Sequence, residues 1–208
     1  MLNAATTNAI SNGLHASALL LYFLGALYHY LKKDPHFPLL VILAFLTLFV
    51  LKVLGVYVHY SASHSDIIPS WIAISLSAIM LNYLIVQALD MPDPMRALCM
   101  FLFLIFSYLF IVDSDGGRNF LFIYIAIPSL FVYLVAAFYS ASLLRTGFLM
   151  IVFSNIIWIA TRHIENSILG HEIPVAYRYD NDLYHLLLII STFIIYKATV
   201  KTGWRNWR

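Results

Sequence analysis

The sequence predicts an all-α membrane protein, a seven-transmembrane helix bundle with its N-terminus outside and its C-terminus inside. Three observations carry this prediction. Hydrophobic residues make up 62% of the 208 residues and charged residues only 11%, with a mean hydropathy of +0.85. A helix that crosses roughly 30 Å of hydrocarbon needs about 20 mainly apolar residues, and seven windows of that kind fit along the chain. Lys and Arg, finally, divide unevenly between the two sets of connections.

The spans are expected at about residues 14–31, 38–60, 67–89, 95–112, 119–139, 143–163 and 182–200. The 13 residues before the first are polar and small and lack the basic start of a signal peptide, so no cleaved leader is expected. Lys32-Lys33-Asp34-Pro35 separates the first two spans, Met91-Pro92-Asp93-Pro94 the third and fourth, and Asp113-Ser114-Asp115-Gly116-Gly117 the fourth and fifth. All three are turn chemistry, with Pro fixing φ and Gly or Asp supplying the reversals. A β-barrel would alternate inside and outside residues, and residues 39–50 do not. The longest connection, about residues 162–181, is too short for a soluble domain, which leaves one domain over 1–208. Its mixed charge, with Gly170 and Pro174, suits a folded loop over a cavity mouth, the alternative being a mobile loop.

Orientation follows from the positive-inside rule. Lys32, Lys33, Arg96, Arg145, Lys197, Lys201, Arg205 and Arg208 fall on the face of the C-terminus, against Arg118, Arg162 and Arg178 on the other. The protein is thus expected to be an integral, multi-pass membrane protein, in the cell inner membrane if its source is bacterial. Its C-terminal tail, with Trp204, Arg205, Trp207 and Arg208, suits an interfacial anchor in contact with membrane lipid. The single cysteine, Cys99, excludes an intrachain disulfide and cysteine zinc clusters. No phosphate loop, nucleophile elbow or His-Glu-x-x-His helix is present, and no basic groove with interleaved aromatics points to nucleic acid.

Chemistry concentrates at one membrane face. Six of the eight histidines, His15, His59, His64, His163, His171 and His185, fall at or just outside it, beside Asp66, Asp180 and Asp182. Ionisable groups near membrane depth are costly unless paired, hydrated or metal-bound. Imidazole and carboxylate donors from separate helices are a ligand set that zinc accepts, and an open position would hold a water whose pKa falls to about 7. His59 and His185 are the leading metal candidates. Asp66 reads either as an N-cap at the start of the third span or as a general base, and Asp182 also begins a helix. His64, His163 and His171 read as solvated loop residues, while His29 and His36 lie at the opposite face. Lys52 lies in the second span, about two turns deeper than His59, where it can pair with a buried acceptor or snorkel.

Gly55-x-x-x-His59, Asp66-Ile67-Ile68-Pro69-Ser70-Trp71 and Asn181-Asp182-Leu183-Tyr184-His185 resemble, by motif position, the alkaline ceramidase and adiponectin-receptor superfamily of seven-span hydrolases. With Thr6-Thr7-Asn8 and Tyr196-Lys197-Ala198 added, the chain more closely resembles an uncharacterised bacterial family of that layout. The resemblance implies zinc held by one histidine of the second span and two of the seventh, with a serine and an aspartate beside it, acting on lipid amides or esters. Gly55 stands where the family has the serine, and Asn181 where it has the first seventh-span histidine. The expected site is therefore His59, His185 and Asp182 or Asn181 on the metal, with Asp66 orienting or deprotonating the water. Two other classes stay open: a non-enzymatic seven-span receptor or lipid-binding protein, and a haem-binding or transport protein.

Overall fold

The computed structural model describes residues 4–32, 39–60, 64–113, 123–169 and 180–202. The described residues form seven helices: α1 (Ala4–Lys32), α2 (Leu39–Tyr60), α3 (His64–Ala88), α4 (Asp93–Asp113), α5 (Ile123–Tyr139), α6 (Ser142–Leu169) and α7 (Asp180–Thr202). The all-helical class agrees with expectation. Four segments, Thr6–Lys32, Leu39–Tyr57, Ser142–Thr161 and Asp180–Lys201, are long and apolar enough to cross a membrane, and Ile72–Ala88 and Tyr124–Tyr139 are apolar but shorter. Large apolar side chains cover the outside, Leu21, Leu104 and Phe138 among them at 67%, 68% and 75% exposure. Such a surface suits lipid better than water.

Two helix ends differ from expectation. α1 starts at Ala4 rather than near residue 14, because its polar residues help build the helix instead of breaking it. Thr7 Oγ1 donates to Ala4 O at 3.1 Å, Ser11 Oγ to Asn8 O at 3.1 Å and Asn12 Nδ2 to Asn8 O at 3.0 Å, bonds that stay within one helix. α6 continues to Leu169, past the end near residue 163 set by apolar content. A helix has no reason to stop where its hydrophobic stretch does; Ser167 Oγ still bonds His163 O at 2.7 Å in that extension.

The helices pack as a ring in the order α1, α2, α3, α5, α6, α7 and back to α1, with α4 outside against α5 and α3. α1 and α7 run parallel, since Ser11 meets His185 and, further along both, Tyr22 stacks on Tyr196 with centroids 4.8 Å apart. α1 and α2 run antiparallel, with Asn12 against Gly55 and Tyr22 against Phe45. α6 packs close to α7 at Gly147, where a β-carbon would lie 2.5 Å from Ile195 Cγ1 and 3.3 Å from Ser191 O. Between α5 and α6 the corner is tight. Ser142 adopts φ 50°, and Arg145 Nε donates to Ala137 O at the end of α5 and to Ser140 O in the connection, at 3.1 and 3.0 Å.

Burial divides the ring into two halves. Leu19, Ala26, Ile42, Phe45, Val86, Leu89, Leu144, Phe148 and Ala198 form an apolar core toward the C-terminal ends of α1 and α7. Toward the N-terminal ends of those helices, the buried set becomes polar: Asn8, Ser11, Asn12, His15, Lys52, Asn155, Asp180 and His185. A candidate site belongs in this second half.

Candidate functional site

The site is built on the seam between α1 and α7. Asn8, Ser11, Asn12 and His15 are spaced i, i+3, i+4 and i+7, so they share one face of α1, and all four are buried. Asp182 and His185, three residues apart, share the facing side of the first turns of α7. Ser11 joins them: its Oγ lies 2.7 Å from Asp182 Oδ1 and 2.9 Å from His185 Nδ1.

Proton accounting assigns the histidine. Ser11 has one hydroxyl proton, and two of its three neighbours, Asp182 Oδ1 and Asn8 O, are oxygens that only accept. The shorter contact, to a carboxylate, is the stronger bond. With the Oγ–H committed to oxygen, His185 Nδ1 must be the donor to Ser11, and the lone pair of the neutral ring belongs to Nε2.

A turn further in lies His15, which is fully buried. Thr192 Oγ1 donates to Leu188 O at 2.7 Å, so His15 Nε2, 3.2 Å away, donates to Thr192. The lone pair is then on Nδ1, which has no hydrogen-bond partner among the described residues. Lys52 of α2, 95% buried, holds its ammonium 5.7 Å from the centroid of the Tyr184 ring. Tyr184 donates its hydroxyl to Asn155 Oδ1 at 3.2 Å and packs on Trp158, with ring centroids 5.7 Å apart.

The sequence-derived candidates fall as follows. His185 is buried and oriented by Ser11; Asp182 is half-buried and bonded to the same hydroxyl; Asn181 is half-buried in the first turn of α7. His59 is on α2 one turn beyond Gly55, opposite the Asn8 level of α1, and Asp66 is in the first turn of α3. The side chains of His59, His64 and Asp66 lie outside the described residues, as does His171. His163 is exposed on α6. His15, expected near the membrane surface, is instead enclosed between α1 and α7. Ser11, Asn12, Tyr184, Asn155 and Thr192 were not anticipated. The polar stripe at 8, 11, 12 and 15 was the available signal for the first two.

Among the described residues, no three His, Cys, Asp or Glu side chains gather closely enough to hold a metal. His185 and Asp182 match zinc in donor chemistry, and a third protein ligand is the usual minimum for a catalytic zinc. Comparison with protein-family models, curated proteins and solved structures finds no match to this chain.

Proposed function

We propose that the chain is a seven-span membrane protein, N-terminus outside, whose outward polar site hydrolyses an amide or ester of a membrane lipid with a bound zinc ion. The observation that carries this reading is the chain of bonds from Asp182 through Ser11 to His185. A carboxylate-backed hydrogen bond on one ring nitrogen is the usual support of a metal-ligating histidine, because it fixes the tautomer and raises the basicity of the other nitrogen. His185 Nε2 and His59 would hold the ion, with Asn181 or the second oxygen of Asp182 completing the set. The chemistry such an ion supplies is Lewis-acid activation of water and of the scissile carbonyl. Asp66, at the start of α3, would take the proton from the attacking water, and Ser11 would keep His185 from rotating. The four long apolar segments support the membrane part of this reading, in which a lipid would reach the ring laterally.

Elemental analysis of the detergent-purified protein tests this. About one zinc per chain, lost in the paired variant His59→Ala and His185→Ala, is the expected result. Protein that stays metal-free in zinc-replete medium overturns the hydrolase assignment.

A second reading, a lipid-binding protein without catalysis, draws on Gly55. A β-carbon there would lie 2.8 Å from Asn12 Oδ1, so the carboxamide of Asn12 fills the space that a serine at this position would use. Metal-free protein that co-purifies with lipid supports that reading.

A further inference from the structure

We propose that His15 and Lys52 form a buried two-point site for an uncharged lipid group that both donates and accepts a hydrogen bond, a hydroxyl or an amide, and that the pair discriminates against esters and carboxylates. The inference rests on the proposal that lipid enters the ring, and not on a metal.

The antiparallel register that sets Asn12 against Gly55 and Tyr22 against Phe45 also sets His15 level with Lys52. His15 is fully enclosed and Lys52 is 5% exposed. Thr192 commits His15 Nε2 as a donor and leaves Nδ1 as an acceptor with no donor among the described residues. Lys52 is the complement: an ammonium with three hydrogens, over the Tyr184 ring, with no carboxylate partner among the described residues.

A buried acceptor without a donor and a nearly buried amino group without an acceptor are both costly. A ligand that brings a hydrogen to Nδ1 and an oxygen to the ammonium relieves both at once. Hydroxyls and amides carry both groups. An ester carries oxygens alone and turns a lone pair toward Nδ1. A carboxylate suits Lys52 but repeats that conflict at His15.

The test is equilibrium binding, by calorimetry on the full-length chain in detergent, of four probes of equal chain length: a primary alcohol, an N-methyl amide, a methyl ester and a carboxylate. The alcohol or the amide is expected to bind at least about tenfold more tightly than the ester, and the stronger of the two names the group. His15→Gln keeps a donor toward Thr192 but removes the Nδ1 acceptor, and should bring that preference close to unity. Thr192→Val leaves the imidazole in place but removes the group that sets its tautomer, and should blunt the preference in a chain of nearly unchanged volume. Lys52→Met should weaken all four probes. Equal affinity for ester and alcohol, a preference that survives His15→Gln, or no binding of any probe overturns the proposal. Because binding is read without turnover, a metal-free protein that keeps the preference sinks the hydrolase reading alone. Zinc-dependent hydrolysis with no preference sinks this one alone.

Discussion

Asn12 of α1 stands over Gly55 of α2 with its carboxamide oxygen 2.8 Å from where a β-carbon at position 55 would lie. The Asn12 amide nitrogen is already held by Asn8 O at 3.0 Å, which limits how far the side chain can retreat. Gly55→Ala should therefore force α1 and α2 apart or displace Asn12, at a cost of about 1 to 3 kcal/mol. The double variant with Asn12→Ala should lose clearly less than the two single losses added together, because the neighbour that clashes is gone. Thermal unfolding in detergent measures all three, and strict additivity would show that the two positions do not share space.

Ser11 is the joint between α1 and the first turns of α7, so Ser11→Ala removes the bonds to both Asp182 and His185. Hydrogen bonds between membrane helices contribute about 0.6 kcal/mol each on average and up to about 1.7, so a loss of about 1 to 2 kcal/mol is expected. His185 would then be free to choose its tautomer. In the zinc reading, affinity for the metal should fall about 10- to 100-fold, the usual effect of removing a group that orients a ligand. Asp182→Asn tests the far end of the same chain and should act in the same direction. A zinc titration in which Ser11→Ala matches the native protein would show that the relay does not serve a metal.

The helices themselves were legible in the sequence because long apolar runs leave few alternatives, and the turn residues at 91–94 marked the corner between α3 and α4, while the turn expected at 32–35 lies largely outside the described residues. The start of α1 was not. Averaging hydropathy over a window discards periodicity, so Asn8, Ser11 and Asn12 read as a polar stretch before the span and His15 as a group at its edge, although their spacing places all four on one helix face. On α7, Asp182 and His185 stood out as ionisable groups at the edge of an apolar run. Their partner Ser11 lies 171 residues away in the chain, and only the packing of α1 against α7 brings it to them. Lys52 could be placed by depth along its helix, whereas its position over Tyr184 depends on how α2 faces across the ring.

Gly147 and Ser142 make opposite predictions at one end of α6. Gly147→Ala would set a β-carbon against Ile195 Cγ1 and near the backbone of α7, 3.2 Å from Ile195 N. Backbone cannot rotate away as a side chain can, so a loss of about 1 to 3 kcal/mol is expected. Ser142, at φ 50°, occupies the left-handed region that disfavours a side chain. Ser142→Gly should relieve that strain and raise stability by about 0.5 to 1 kcal/mol after the extra backbone entropy of glycine is counted. Unfolding curves that move the same way for both would contradict the packing and backbone geometry described for this corner.

The proposed seven-span topology, with the polar half facing outward, predicts which ends a membrane-impermeant thiol reagent can reach. The native Cys99 is fully buried, so background labelling should be low. His163 is exposed toward the C-terminal end of α6, which the proposal places outside, and Lys32 is exposed at the C-terminal end of α1, which it places inside. His163→Cys should be labelled in intact cells, and Lys32→Cys only after the membrane is opened. Labelling at both positions in intact cells would mean that α1 or α6 does not cross as proposed. The reversed pattern would place the His185 end inside, contradicting the bias of Lys and Arg toward the C-terminal face. It would also move the supply of water for hydrolysis to the cytoplasm, so the site's chemistry and the chain's orientation stand or fall on separate measurements.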